Sequence, residues 1–315
     1  MRRLFFLISA IFFLLPPATA PARAAKRLTI KNSAKRLAIK NFSHFSSQNT
    51  LIGAVGLHVI KDDESLIELA PVYDVGYNEI TQANPRTDPW VPDEGAVIKI
   101  PSSKVLPDAP YRGIVINLAE MRLYFYLKDG PYNSVLTFPI GVGMEGFATP
   151  PGNYRIVQKI KNPFWYVPVS IRKEDRQLPA FIRPGPDNPM GRFALRLSIP
   201  TYLIHGTNKP FCVGRRASHG CLRLYDVDIR QLFESVRINT PVKIIYQPVK
   251  VGVRNGHIYV EAHKDYLKRG ENPYELIARW LLYKRNFHQI DGKKLRKALK
   301  ERTGLPVDIT EHSRS

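Results

Sequence analysis

The spacing of apolar residues predicts a small α/β unit over residues 55–101. A short apolar strand at 57–60 is followed by two stretches with apolar residues at helical spacing, and an apolar strand at 97–100 closes the unit. The apolar positions of the two helices are Leu66, Ile67, Leu69 and Ala70, then Val75, Tyr77, Ile80 and Ala83. The predicted order is therefore β-α-α-β.

Residues 111–247 follow a different pattern, which is typical of a β domain. β-branched and aromatic runs alternate with Gly, Pro and Asn turns, at 114–116, 122–126, 135–140 and 154–157. We expect a mainly β fold, an antiparallel sandwich or barrel-like sheet. Its clearest helix follows Cys221, with Asp226 as the cap and Ile229, Leu232, Phe233 and Val236 on one face.

The remaining segments are connections and an extension. Proline and serine residues predict a linker at 102–110. Residues 248–315 form a basic extension, in which Asn255-Gly256 predicts a hairpin turn and two amphipathic basic helices follow, at 274–285 and 293–302. The pattern leaves open whether this extension packs on the β domain or contacts the cell envelope.

The N-terminus has the pattern of a signal peptide. Two arginines precede an apolar run at 4–15, and Ala22-Arg23-Ala24 offers a cleavage site that would start the mature chain at Ala25. The run is too short for a permanent membrane anchor. We therefore expect residues 1–24 to direct export to the periplasm or cell envelope, with no transmembrane anchor in the mature chain.

The charge of the chain is strongly positive and unevenly placed. The formal net charge is +20, and residues 25–40 hold six Lys or Arg and no acid, which predicts a basic arm at 25–54. Such arms often bind nucleic acid, but export argues against that partner. Anionic envelope polymers or membrane surfaces fit the predicted location.

Two residues combine into candidate chemistry. His205 lies in the run Ile-His-Gly-Thr, and Cys221 follows sixteen positions later in Ser-His-Gly-Cys-Leu-Arg. A cysteine attacks as a thiolate, so a catalytic cysteine needs a neighbouring imidazole. Gly220 has no Cβ, so a substrate carbonyl could approach backbone N–H groups there, which can stabilise an oxyanion.

The pattern H-G-T followed by S-H-G-C-x-R resembles the signature of L,D-transpeptidases of the YkuD type. Matching segments at 141–143, 149–154 and 188–191 extend the resemblance over residues 111–247. It implies that Cys221 is the nucleophile and His205 the proton acceptor and donor. It further implies a substrate or oxyanion side that contains Ser218, His219, Gly220, Gly206 and Arg223, the last as organiser of the pocket.

The preceding α/β unit resembles a LysM peptidoglycan-binding module. Its Q-A-N-P after the second helix and its final I-K-I-P carry this resemblance. The two units together are similar to the ErfK/YbiS group of periplasmic enzymes, which implies peptidoglycan as the polymer that the protein contacts.

The implied reaction is acyl transfer without metal or cofactor. The thiol would form a thioester with the third residue, diaminopimelate, of a stem tetrapeptide and release D-Ala. The acceptor would be an amine of another stem, giving a 3-3 cross-link, or a lysine of an outer-membrane lipoprotein, or water.

Other interpretations stay open on the residues alone. Four zinc-type ligands lie within seventeen residues, namely His205, Cys212, His219 and Cys221. A disulfide could join the two cysteines, or Cys212 could be a buried apolar residue. The chain could also be a peptidoglycan L,D-carboxypeptidase or hydrolase on the same fold, or a non-catalytic peptidoglycan-binding envelope protein.

Overall fold

The structure, a computed structural model, describes residues 42–129, 132–284 and 290–311. The predicted signal peptide and residues 25–41 of the predicted basic arm lie outside the described residues. Within the described ranges, no helix combines the length and apolar character that a membrane crossing needs.

The N-terminal part contains five short strands and two helices. They are β1 (Ser43–Phe45), β2 (Leu51–Ile52), β3 (Gly56–Val59), α1 (Leu66–Val72), α2 (Tyr77–Ala83), β4 (Val97–Ile100) and β5 (Lys104–Val105). Strand β3 pairs antiparallel with β4, and the two helices bury Leu66 and Ile80 against them. The order β-α-α-β is the predicted one.

The central part is mainly β, as predicted. It contains β6 (Gly113–Asn117), β7 (Arg122–Asp129), β8 (Tyr132–Pro139), β9 (Val142–Gly143), β10 (Gly152–Lys161), β11 (Trp165–Tyr166), α3 (Val169–Glu174), β12 (Phe181–Ile182), β13 (Phe193–Leu197), β14 (Leu203–His205), β15 (Arg216–Ser218), β16 (Leu222–Arg223), α4 (Asp226–Ser235) and β17 (Pro241–Ile245).

The C-terminal part contains the predicted hairpin and two helices. They are β18 (Val249–Arg254), β19 (His257–Ala262), α5 (Pro273–Tyr283), α6 (Gly292–Glu301) and β20 (Val307–Asp308). The two strands meet at Asn255-Gly256, where both residues have positive φ, as the turn requires.

A nine-stranded sheet organises the molecule, in the order β1-β8-β7-β6-β17-β10-β13-β14-β16. Most neighbours are antiparallel, but β6 pairs parallel with β17 and β14 pairs parallel with β16. The sheet is therefore mixed rather than wholly antiparallel. The long strand β10 joins its halves, because its first residues pair with β17 and its later residues with β13, with a register shift between Ile156 and Gln158.

Both faces of this sheet are buried. On β6, Ile114 and Ile116 belong to the main core, which α4 covers, whereas Val115 points into a second core with Ile52 and Leu106. A strand buried on both faces needs a continuous apolar run, and I-V-I supplies it. The second face is thus covered by the segments before and after the central part.

The segment predicted as a linker at 102–110 is not a solvated connection. It forms β5, which pairs with β2, and Lys104, Val105 and Leu106 are fully buried. The proline and serine residues mark its turns. Its burial depends on a distant partner for the ammonium group of Lys104, which local composition does not reveal.

A buried ion cluster fastens the α/β unit to the sheet. Glu79 of α2 lies 2.7 Å from Lys104 Nζ and 2.8 Å from Arg122 Nε of β7. Arg122 also donates to the carbonyl oxygen of Asp74. Burial disfavours the ionised carboxylate, but the charges of Arg122 and Lys104 outweigh it and hold the pKa of Glu79 far below its usual range.

A second buried cluster fastens the C-terminal hairpin to the same face of the sheet, the one to which Arg122 and Tyr124 of β7 both point. Lys250 Nζ of β18 lies 2.7 Å from Glu120 Oε2 and 2.9 Å from Glu261 Oε1, and donates to the carbonyl oxygen of Val105. His263, which no sequence motif indicated, lies 2.7 Å from Glu261. The extension therefore packs on the rest of the protein, where Lys250 contacts Glu120 and Glu261 accepts from the N–H of Val105.

We expect the substitution Lys250→Met to destabilise the protein by about 3–5 kcal/mol, because it removes the ammonium group that lies between two buried carboxylates. The matched control is Arg230→Met, which removes an exposed i,i+4 pair with Glu234 and should change stability by about 0–0.5 kcal/mol. Urea unfolding at neutral pH measures both. Equal losses in the two variants would contradict this account of the cluster.

Candidate functional site

The candidate nucleophile and base lie on adjacent parallel strands at the edge of the sheet. Ile204 pairs with Leu222, and His205 pairs with Arg223. By this register, Cys221 lies opposite Leu203, immediately before β16. Because side chains alternate along a strand, His205 and Leu203 share one face of the sheet, and Cys221 and Arg223 share the corresponding face of the neighbouring strand. The fold thus brings together the two residues that the motif singles out.

The imidazole of His205 is buried and oriented by the backbone. Its Nδ1 lies 2.6 Å from the carbonyl oxygen of Gly206, which can only accept, so Nδ1 carries the proton and a neutral ring keeps Nε2 as an acceptor. Burial, and then the charge of Arg223, lower the pKa of His205 to about 4, although backbone hydrogen bonds with Gly206 and Met190 act to raise it. His205 is therefore neutral at pH 7.

The thiol of Cys221 is half-buried and also neutral at rest. Burial raises its pKa, and a backbone hydrogen bond from Leu203 and the charge of Arg223 offset only part of this effect. Its Sγ donates to the carbonyl oxygen of Thr201 at 3.6 Å. The positive charge of Arg223 thus lowers the pKa of the thiol and the pKa of the imidazole, because it lies close to both groups.

A network of hydrogen bonds holds the turn that carries the thiol. Ser218 Oγ donates to the carbonyl oxygen of Cys221 at 2.6 Å and accepts from the N–H of Gly220 at 3.1 Å. Thr149 Oγ1 donates to the carbonyl oxygen of Gly220 at 2.8 Å. Ser218 was predicted to line the substrate side, but its hydroxyl is engaged inside the turn. It therefore fixes the turn that carries Cys221.

Position 220 requires a glycine for two reasons, its backbone conformation and the space that a neighbouring aromatic ring leaves. Its φ is +103°, a conformation that residues with a Cβ rarely adopt, and a Cβ there would lie 2.7 Å from Cε1 of Tyr202. Its N–H is occupied by Ser218 Oγ, so this N–H is not a free oxyanion donor in the structure. Tyr202, which no motif indicated, therefore shapes the space beside the thiol.

Gly206 lies on the side of the sheet that packs on α4. A Cβ there would lie 3.1 Å from Ile229 Cγ2, and its carbonyl orients His205. Gly206 therefore has a role in placing the imidazole, and its place on the substrate side stays a prediction. Asp226 does not cap α4 as predicted, since Tyr225 is the N-cap; its carboxylate instead pairs with Arg192.

His219 and Arg223 flank the turn. His219 is half-buried, with Nε2 3.2 Å from Glu174 Oε2 at the end of α3 and its ring against Phe147 at a centroid distance of 4.5 Å. Arg223 Nη1 donates to the carbonyl oxygen of Ala217. Neither Glu174 nor Phe147 belongs to a recognisable motif, so the sequence offered no signal for them.

The alternative roles for the cysteines fail on geometry. Both are free thiols, so no disulfide joins them, and Cys212 is half-buried at the end of a short 3₁₀ helix rather than in the core. Among the described residues, His205, Cys212, His219 and Cys221 do not converge into a group of metal ligands. The group that does converge is Glu120, Glu261 and His263. The ammonium group of Lys250 already pairs with both of its carboxylates.

Comparison with known proteins identifies the family of this chain. The family YkuD, the L,D-transpeptidase catalytic domain, matches residues 111–244. The "Probable L,D-transpeptidase YcfS" of Escherichia coli K12 is 39% identical over 276 residues, which cover 83% of this chain and 86% of that protein. The "Probable L,D-transpeptidase ErfK/SrfK" of the same strain is 38% identical over 264 residues, 80% of this chain and 84% of that protein.

Among solved structures, the catalytic domain from the Enterococcus faecium L,D-transpeptidase is 20% identical, with a TM-score of 0.33 over 44% of this chain and 100% of that chain. A mainly β domain with a thiol and an imidazole on neighbouring strands fits cysteine-dependent acyl transfer. From its relatives, the chain belongs to the L,D-transpeptidase family and is an enzyme of that class. The resemblance to the L,D-transpeptidases noted in the sequence is confirmed.

We expect Arg223→Ala to raise the pKa of the Cys221 thiol, because the charge of Arg223 lowers it. Arg223→Lys keeps a positive charge and should leave the pKa nearer to that of the wild type. The measurement is the rate of alkylation of Cys221 by iodoacetamide against pH, in a Cys212→Ala background so that a single thiol reacts. Identical profiles for the Ala and Lys variants would show that the charge of Arg223 does not act on the thiol.

Proposed function

We propose that Cys221 and His205 carry out L,D-transpeptidation on peptidoglycan stem peptides. The observation that carries the proposal is the parallel pairing of β14 with β16, which sets the thiol beside the strand that ends in His205. Membership of the L,D-transpeptidase family supports the reaction class. The residue roles are those that the sequence motif predicts.

The first step acylates the enzyme. Cys221 Sγ bonds to the carbonyl carbon of the third stem residue, diaminopimelate, while its proton passes to His205 Nε2. The C–N bond to the terminal D-Ala then breaks, and His205 returns the proton to the amine that leaves. Because thiol and imidazole are both neutral at rest, the thiolate forms as the proton transfers, rather than being stored.

The oxyanion of this step needs donors that are not already used. The N–H of Gly220 is bonded to Ser218 Oγ. The next N–H in the turn, that of Cys221, is the donor we assign to the oxyanion, with the hydrogen bonds of Ser218 and Thr149 holding the turn in place. Gly220, held beside Tyr202, bounds the space into which the carbonyl would enter.

The second step transfers the acyl group from sulfur to an acceptor. The nitrogen of an amine attacks the thioester, His205 takes its proton, and the proton returns to Sγ as the C–S bond breaks. A stem amine gives a 3-3 cross-link and a lipoprotein lysine gives an anchor, whereas water would give a shortened stem. The predicted signal peptide places this reaction in the periplasm, and the LysM-like unit at 55–101 would hold the glycan strand.

We expect Cys221→Ala to abolish the release of D-Ala from tetrapeptide muropeptides, whereas Cys212→Ala keeps it. Mass spectrometry of the wild-type protein should show the acyl group on Cys221. Reactions with and without a lysine-terminated peptide name the acceptor from the product.

Release of D-Ala by Cys221→Ala at the wild-type rate would overturn the assignment of the nucleophile. Release of D-Ala with water as the acceptor in every mixture would make the protein a carboxypeptidase on the same fold.

The value of kcat/KM should stay level as the pH falls from 7 to about 5 and decline near pH 4. The base must be neutral, and the pKa of His205 is lowered to about 4, so protonation removes activity only below that value. In Arg223→Ala the acid limb should move to higher pH, because the charge that lowers the pKa is gone. An acid limb at the ordinary histidine value of 6.5 in both proteins would contradict this. Circular dichroism at each pH checks that the protein stays folded.

A further inference from the structure

The first turn of α2 contacts the segment that leads to the nucleophile. The N–H of Tyr77 donates to the carbonyl oxygen of Val213, and the N–H of Asn78 donates to that of Gly214, both at 3.1 Å. The first N–H groups of a helix have no partner inside the helix. Here the chain before β15 satisfies them, so the helix and this segment each complete the other's hydrogen bonds.

The contact is as close as backbones allow. A Cβ on Gly76 would lie 2.7 Å from the Cα of Gly214, and Gly214 has a φ of +78°. Gly76 itself has an ordinary extended conformation, with φ −82° and ψ 160°. Gly76 and Gly214 are therefore in direct backbone contact. At Gly76 a side chain is excluded by the lack of space, since its backbone conformation would allow one.

A cation–π contact covers the same junction. The guanidinium carbon of Arg215 lies 3.5 Å from the centroid of the Tyr77 ring and 5.9 Å from that of Trp90. Both rings belong to the α/β unit, and Arg215 directly follows Gly214. The unit thus holds three successive residues of the segment, by two carbonyl groups and one side chain.

The helix end is itself fixed by the buried ion cluster. Glu79 Oε2 accepts from the N–H of Gly76 at 2.6 Å, while the same carboxylate pairs with Arg122 and Lys104 in the interior. A carboxylate that is fully buried between two cations has little freedom to move. Gly76 is therefore held relative to the central sheet.

At its other end, the segment reaches the turn that holds the thiol. The N–H of Gly214 donates to the carbonyl oxygen of Ile140, and Ser218, at the end of β15, binds the carbonyl oxygen of Cys221. Three residues lie between Gly214 and Ser218. A displacement at Gly214 is thus passed to the turn through a short strand with no intervening loop.

We infer that the α/β unit is a positioning element of the catalytic turn, with Gly76 as the positioning residue that sets the place of the 213–215 segment. This inference rests on the function proposed above. The unit acts on the reaction through Ser218 and the turn of Cys221, apart from any hold that it has on glycan. A shift of about 1 Å at a positioning contact can lower a rate by as much as about 100-fold.

The test is Gly76→Ala, a one-methyl wedge, with Gly56→Ala as the matched control. Gly56 lies in β3 of the same unit, and a Cβ there would make an ordinary contact of 3.4 Å with Ile100. We expect Gly76→Ala to lower kcat for D-Ala release about 10-fold or more with KM within about 2-fold, and to shift the pH profile of Cys221 alkylation. Gly56→Ala should change neither value.

A second pair of variants separates position from stability. Pro is tolerated at the first residue of a helix, so Tyr77→Pro removes the N–H that binds Val213 while α2 keeps its start. Tyr77→Ala removes the same ring but keeps the N–H. We expect a lower kcat for Tyr77→Pro than for Tyr77→Ala, at assay temperatures where both remain folded by circular dichroism.

If Gly76→Ala has the wild-type kcat and the wild-type alkylation profile, the inference is overturned. If Gly76→Ala does not fold, the second pair of variants decides. Equal kcat values for Tyr77→Pro and Tyr77→Ala would then overturn the inference. A wild-type protein that releases no D-Ala would instead count against the proposed function. In that case the alkylation profile alone decides whether the unit positions the turn: a shift in the wedge or proline variant supports the inference, and unchanged profiles reject it.

Discussion

The structure depends on one constraint, which is that the central sheet has apolar side chains on both faces and neither face can be left in water. On β6 the neighbours Val115 and Ile116 point to opposite cores, and on β7 Tyr124 and Phe125 do the same. Helix α4 covers one face. The other is covered by β2, β5 and the C-terminal hairpin, so the terminal parts enclose the second core, on the far face of the sheet whose main core supports β14 and β16.

Buried charges determine how these terminal parts dock. Ion pairs in a protein interior lose much of their attraction to desolvation, so they are weak contributors to net stability, but they tolerate few geometries. The Glu79 cluster fixes the α/β unit and the Lys250 cluster fixes the hairpin, both on the face of the sheet to which Arg122 and Tyr124 point. Apolar contacts alone would permit sliding. The charges favour one arrangement, in which the turn of Cys221 has a defined neighbour.

Much of the fold could be predicted from local periodicity, and the nucleophile and base from a motif. The helical spacing gave α1, α2, α5 and α6 to within a few residues at each end, and Asn255-Gly256 gave the hairpin. The parallel pairs and the burial of Lys104 could not be predicted, because each depends on a partner far away in the chain. The same holds for Ser218, whose hydroxyl serves the turn, and for Tyr202 beside Gly220.

The residues that match the catalytic family, 111–244, contain buried groups whose partners lie outside that range. Excised at those boundaries, the segment would leave Glu120 without Lys250, Arg122 without Glu79, and the tyrosines of β7 open to solvent. A catalytic segment moved into another protein would therefore contain the thiol and the imidazole, but it would lack the segments that cover the second face of the sheet. In this chain, the segments that pair with or cover the catalytic sheet extend from β1 to the hairpin of β18 and β19.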